Sequence, residues 1–198
     1  MRSMVTAAMV VAAACALGCA SGGKTGGAGG ATRVALETTK GRIVLELDGE
    51  RAPISTANFL RYVDERAYDG TIFHRVVAGF VIQGGGHTAD LTELPSHEPI
   101  VNEWGNGLKN ERGTIGMARE TEPDSATRQW YINLADNARL DIAREVSGNA
   151  GYAVFGRVVE GMDVVDAIAG IATREVSEDF QNVPAETVTV KRARRVRP

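Results

Sequence analysis

Eight short apolar runs, separated by glycine, asparagine and aspartate, most constrain what this chain can fold into. Val34 and Leu36, then Ile43, Leu45 and Leu47, alternate with polar residues on either side of Thr39-Lys40-Gly41, the pattern of a β-hairpin. Further runs at Thr71 to Val77, Phe80 to Gln83, Gly113 to Met117, Trp130 to Leu134, Ala153 to Val159 and Val188 to Lys191 read as strands. Only two segments carry helical spacing. The first begins at Pro53 and places Ile54, Ala57, Phe59, Leu60, Tyr62 and Val63 before Tyr68-Asp69-Gly70; the second starts at Gly161-Met162-Asp163 and runs through Val164, Val165 and Ile168. So many strands without regular intervening helices exclude a parallel α/β sheet and leave an antiparallel barrel or sandwich.

Composition narrows the chemistry. Cys15 and Cys19 are the sole cysteines, so the body after them can hold neither a disulfide nor a thiolate metal site, and its stability must come from packing. A formal net charge of -3 offers no broad attraction to DNA or RNA, and no nucleic-acid partner is expected. His74, His87 and His97 lack the short spacing of metal ligands, and there is no GxSxG elbow for a nucleophilic serine. A reaction carried by this body therefore needs neither a covalent intermediate nor a cofactor, and no metal is expected.

Arg2 followed by the apolar run Met4 to Leu17 reads as a signal segment, too short for the roughly 20 residues of a membrane-spanning helix. It ends in Ala16-Leu17-Gly18-Cys19-Ala20-Ser21, which resembles a bacterial lipobox and makes Cys19 the expected lipidation site. Ala16 departs from the usual larger aliphatic residue, and cleavage after Ala20 to release a soluble protein is the alternative. Residues 22 to 30 hold no apolar side chain larger than alanine and form a flexible tether. The organisation expected is thus a signal peptide over 1–18, a Gly-rich tether over 19–31 and one domain over 32–198. Gly18 to Thr25 also fits the phosphate-loop pattern GxxxxGK[ST], but no buried strand precedes it, so phosphate binding is not expected.

The stretch Phe73-His74-Arg75-Val76-Val77-Ala78-Gly79-Phe80-Val81-Ile82-Gln83-Gly84-Gly85 resembles the signature of the cyclophilin-type peptidyl-prolyl cis-trans isomerases. The resemblance continues in Gly113 to Arg119, Ser125 to Asn133 and Gly151 to Met162, in the family's order and spacing. It covers about Thr32 to Arg195, and the form around Tyr152 is most similar to the exported bacterial branch. It implies a mainly β fold: a closed, eight-stranded antiparallel β-barrel with an α-helix over each open end. It also implies an isomerase of Xaa-Pro bonds that assists the folding of exported polypeptides. By the same resemblance Arg75 donates a hydrogen bond to the prolyl nitrogen and Gln83 holds Arg75. Phe80, Val81, Tyr131 and Leu140 line the proline pocket; Gln83, Ala118, Arg119 and Gln129 bind the adjoining peptide backbone; His74 is at the rim, and Tyr152 joins the substrate-binding set.

Three departures bear on activity. Tyr131 stands where the family usually has Phe and brings a hydroxyl that must find a partner. Val81 is shorter than the usual Met, and Trp130 replaces a Phe, which together would reshape the pocket. Arg139 stands where cyclosporin-sensitive members have Trp, implying weak cyclosporin inhibition. A module that binds proline-containing chains with little turnover is the alternative to the enzyme. The basic run Lys191, Arg192, Arg194, Arg195 and Arg197 reads as a strand and tail with a solvated face, or else as a contact for an anionic envelope polymer. Expected partners are proline-containing clients met by a monomer in the periplasm or cell envelope, with the membrane reached only through Cys19 and the outer membrane preferred.

Overall fold

The structure, a computed structural model, describes residues 32–197. The signal segment, Cys19 and the tether lie outside the described residues. The chain forms β1 (Thr32–Thr38), β2 (Arg42–Leu47), α1 (Pro53–Asp64), β3 (Phe73–Val77), β4 (Val81–Gly84), β5 (Thr114–Met117), β6 (Trp130–Asn133), β7 (Val154–Glu160), α2 (Met162–Ala169), β8 (Thr173–Arg174), β9 (Val183–Pro184) and β10 (Val190–Val196). The expected hairpin is β1 with β2, paired from Thr32 opposite Leu47 to Glu37 opposite Arg42. Its turn closes through the Thr38 N–H and hydroxyl, which donate to the Gly41 carbonyl at 2.8 and 2.7 Å.

Eight strands form one antiparallel sheet in the order β10-β1-β2-β7-β5-β6-β4-β3. The sheet curls into a half-barrel, and the expected closed barrel is not formed: β10 and β3 remain its edges. The upstream end of β10 pairs with the turn before β3, through Gly70 N–H to the Val190 carbonyl and Val190 N–H to the Thr71 carbonyl, both 2.8 Å. Asp69 then accepts the Ala193 N–H at 2.8 Å, occupying an edge donor that a closing strand would need. Beyond these bonds the two edges meet through the Ile72–Thr189 bridge and through Phe73 N–H to the Val188 carbonyl at 3.0 Å.

Strand β10 is not a simple alternation. Glu37 pairs with Arg192 but Thr38 pairs with Val190, so Lys191 is an extra, bulged residue. The bulge resets the phase and lets Val190 and Ala193, three residues apart, both face the core. Arg194 and Arg195 are ion-paired with Glu37 and Asp64.

Helix α1 buries Phe59, Leu60, Tyr62 and Val63. Its first turn has no side-chain cap of its own; the Ile54 and Ser55 N–H groups instead donate to the Glu103 carboxylate at 3.0 and 2.7 Å, which keeps Ile54 at the surface. Around Phe59 the core is aromatic, with Tyr68, Trp130 and Phe155 at centroid distances of 5.2, 6.3 and 5.3 Å. Trp130 is fully buried edge-on to Phe73 at 5.4 Å. Gly85, at φ +88°, is required there, because a Cβ would come within 2.6 Å of the indole nitrogen.

Candidate active site

The residues singled out in the sequence converge because of strand register. Arg75 on β3 lies opposite Gln83 on β4, Gln83 opposite Tyr131 on β6, and Tyr131 opposite Gly116 on β5. One row across four strands therefore carries the chemistry on one face of the sheet. Pairing passes from Phe73–Gly84 directly to Arg75–Gln83, so His74 is the bulged residue that sets the phase of Arg75 on this row.

The Arg75 guanidinium donates to Gln83 Oε1 at 3.1 Å, and Gln83 Nε2 donates to Gln129 Oε1 at 2.9 Å. Among the described residues no carboxylate pairs with Arg75. Its charge is oriented by a neutral amide and not held in an ion pair, and burial pulls its pKa down from the usual arginine value. The guanidinium carbon lies 5.9 Å from the Phe80 ring centroid.

Val81, Tyr131 and Leu140 form a small buried apolar cluster of their own, separate from the main core, with Phe80, Ala118 and Tyr152 packed around it. These are six of the residues assigned to substrate binding; the apolar patch they form, where the sequence puts the proline slot, reaches Arg75 through the Phe80 ring. Trp130, by contrast, points to the opposite face of β6 and belongs to the main core, so it does not reshape the slot. The Tyr131 hydroxyl does not project into the slot: it donates to Asn110 Oδ1 at 2.6 Å. Room for the phenol comes from Gly116, where a Cβ would lie 2.5 Å from the Tyr131 Cζ. Burial pushes the Tyr131 pKa well above the phenol range, so it stays a neutral donor. Asn110 is 1% exposed and is the residue the sequence reading missed, because a lone Asn between Lys109 and Glu111 looks like any polar turn residue.

Arg119 sits at the rim with its guanidinium carbon 4.3 Å from the Tyr152 ring centroid. Its nitrogens donate to the carbonyls of Ser147, Ala150 and Gly151 at 2.8 to 3.2 Å, holding the loop that leads to Tyr152. His74 is 6% exposed, packs against His87 with ring centroids 4.4 Å apart and planes tilted by 54°, and has an Nδ1 without a partner. Burial first, then His87 and Arg75, push its pKa down to about 3, so it is neutral at physiological pH. A groove of about 720 Å³ runs past His74, Arg75, Gln83 and Gln129, with Glu93, Glu120, Glu178 and Asp179 on its other walls. A second cleft of about 670 Å³, near Asp48, Leu108 and Arg157, contains none of the site residues. Among the described residues no three His, Cys, Asp or Glu side chains are placed to hold a metal ion, and no helix is long and apolar enough to cross a membrane.

Comparison with known proteins gives the family. Residues 33–195 match the family described as cyclophilin type peptidyl-prolyl cis-trans isomerase/CLD. Peptidyl-prolyl cis-trans isomerase A of Dickeya dadantii is 48% identical over 163 residues, covering 82% of this chain and 84% of the relative. Peptidyl-prolyl cis-trans isomerase B of Escherichia coli is 48% identical over 158 residues, covering 80% of this chain and 96% of the relative. Among solved structures, a Cryptosporidium parvum cyclophilin type isomerase, crystallised in the presence of the dipeptide Ala-Pro, superposes with a TM-score of 0.69. At 22% identity over 84% of this chain and 99% of that one, it attests the fold.

Proposed function

The chain belongs to the cyclophilin-type peptidyl-prolyl cis-trans isomerases and catalyses rotation of Xaa-Pro bonds, and we propose that Arg75 drives this reaction on proline-containing segments of exported polypeptides. An Xaa-Pro bond is planar by resonance and turns over a barrier of ~18 to 20 kcal/mol. No bond has to break, so the catalyst must hold the twisted amide better than either planar form. As the bond twists, the prolyl nitrogen regains its lone pair and becomes a hydrogen-bond acceptor. Arg75 donates to it. The guanidinium, free of any ion pair among the described residues and oriented by Gln83 at 3.1 Å, is the observation that carries this reading: an arginine already paired with a carboxylate would have its field largely neutralised.

The proline ring occupies the slot of Phe80, Val81, Tyr131 and Leu140, which strips water from the twisting amide. Ala118, Gln129 and the rim residues His74, Arg119 and Tyr152 flank the chain on either side of the ring. With its hydroxyl bonded to Asn110, Tyr131 offers the slot an apolar ring face, as a proline pocket needs.

Export is supported by the Arg2 to Leu17 segment, and anchoring by the lipobox-like residues ending at Cys19. The protein acts as a monomeric domain over 32–198, tethered by 19–31 to the envelope membrane through Cys19, with the outer membrane the favoured site. The test mixes the full chain with an Xaa-Pro peptide and follows cis-trans exchange by NMR. Arg75→Ala is expected to lower kcat/KM by roughly 10²- to 10³-fold, the usual loss of one preorganised charged donor. Unchanged exchange in a folded Arg75→Ala protein would remove Arg75 from the mechanism.

A further inference from the structure

Asn110 joins the floor of the proline slot to the loops behind Leu140 and Tyr152 without lining it. Its Oδ1 accepts from the Tyr131 hydroxyl at 2.6 Å, at the floor, and from Asn133 Nδ2 at 3.1 Å. Its Nδ2 donates to Asp141 Oδ1 at 2.8 Å and to the Tyr152 carbonyl at 3.2 Å, while its backbone N–H donates to the same Asp141 oxygen at 2.9 Å. Its carbonyl accepts the Asn137 N–H at 2.7 Å. Asp141 directly follows Leu140, the slot's side wall; the Leu140 N–H bonds the Asn137 carbonyl, and the Leu140 carbonyl accepts the Tyr152 N–H, both at 2.8 Å.

Every polar group of this buried residue is therefore used. Asp141 and the Tyr152 carbonyl can only accept, so the amide must turn Nδ2 toward them and Oδ1 toward the phenol. Only asparagine supplies an acceptor to the floor and donors to the two walls from one planar group. Aspartate would set a carboxylate against Asp141, and leucine would leave the Tyr131 hydroxyl and the Tyr152 carbonyl without this partner.

We propose that Asn110 is a positioning residue that fixes the width of the proline slot, locking the Tyr131 floor to the Leu140 and Tyr152 walls and so setting which cyclic imino acid the enzyme accepts. Gly116 belongs to the same device, since the floor can reach Asn110 only where no Cβ stands behind the phenol. The inference rests on the isomerase reading, in which the ring occupies this slot.

The test compares kcat/KM for an Ala-Pro peptide and for its six-membered pipecolyl analogue, read by NMR exchange with the full chain. In a slot of fixed width the extra methylene is expected to lower wild-type kcat/KM at least about tenfold. Tyr131→Phe removes only the hydroxyl and Asn110→Ala removes the brace. Both are expected to cut that ring preference severalfold, mainly through a raised KM for proline. Gly116→Ala pushes the floor into the slot and is expected to lower kcat/KM for both peptides, with partial rescue when Tyr131→Phe frees the ring to withdraw.

Loss of thermal stability with an unchanged ratio of the two substrates would show Asn110 to be structural only and overturn the inference. Because Tyr131→Phe deletes a single oxygen, an unchanged ratio in that variant overturns it even if Asn110→Ala does not fold. Wild-type protein that turns over neither peptide would instead bring down the reading on which the inference stands.

Discussion

Acidification should weaken this fold well before its carboxylates titrate, and His74 should be the main cause. The imidazole is 6% exposed, packed against His87 and next in sequence to Arg75, and burial pushes its pKa down to about 3. The unfolded chain takes up a proton on it below pH ~6.5, whereas the folded chain does not until about pH 3. Its contribution is thus fully present above pH 6.5 and is lost as the pH falls from there toward 3. Linkage gives a loss of ~2 kcal/mol between pH 7 and pH 5. At roughly 2 to 4 °C per kcal/mol for a domain of this size, the midpoint should fall by about 4 to 8 °C. His87 shifts in the same direction through burial and adds to the loss. The paired carboxylates Glu46 and Asp64 are held below their usual range by their arginine partners, so their contributions persist through this window and disappear only at lower pH. Urea unfolding of wild type and His74→Phe at pH 7 and pH 5 measures the effect. The Nδ1 of His74 has no partner, so phenylalanine gives up only the ring's bond to Gln129, and the variant should lose much less stability than wild type over the same pH range. A wild-type loss below about 0.5 kcal/mol, or an equal loss in His74→Phe, would refute the argument from burial.

Two further outcomes follow from single side chains. Arg128 is 3% exposed and donates to the carbonyls of Gly85, Pro95 and Ala67 at 2.7, 2.7 and 2.5 Å, with its guanidinium carbon 5.3 Å from the Tyr62 ring centroid. Arg128→Met should lower stability by roughly 3 to 5 kcal/mol, since three carbonyls lose a charged donor at once, and denaturant midpoints would register it. At the slot's edge Arg139 is exposed where an indole contact would be needed, so cyclosporin should inhibit weakly. Arg139→Trp should lower the inhibition constant by an order of magnitude or more, the scale of one buried aromatic contact, and an unchanged constant in an inhibition titration would dismiss this explanation.

Most of the architecture was legible in the sequence because its signals are local. Alternation in Val34 to Leu47, the Pro53 and Gly161 helix starts, and the glycine, asparagine and aspartate punctuation each report on a few neighbouring residues. The eight sheet strands and two helices all fall where those signals stand, apart from boundaries of a few residues. The motif from Phe73 to Gly85 was equally local, and with it came Arg75, Gln83 and two of the four slot residues, Phe80 and Val81.

What escaped was decided by partners distant in the chain. Whether the sheet closes depends on which edge donors are already occupied, and Asp69 reaching Ala193 across 124 residues cannot be read from either segment. The bulge at Lys191 likewise exists only against Thr38 on the neighbouring strand. Trp130 and Tyr131 are adjacent aromatics, yet strand alternation sends one to the core and the other to the slot. The Tyr131 hydroxyl raised a question that the sequence could pose but not answer, because its acceptor, Asn110, lies 21 residues away in a polar loop. Local propensity and pattern determine which elements form. Hydrogen-bond satisfaction among distant buried groups determines how they close around a site, and that requires the chain to be folded.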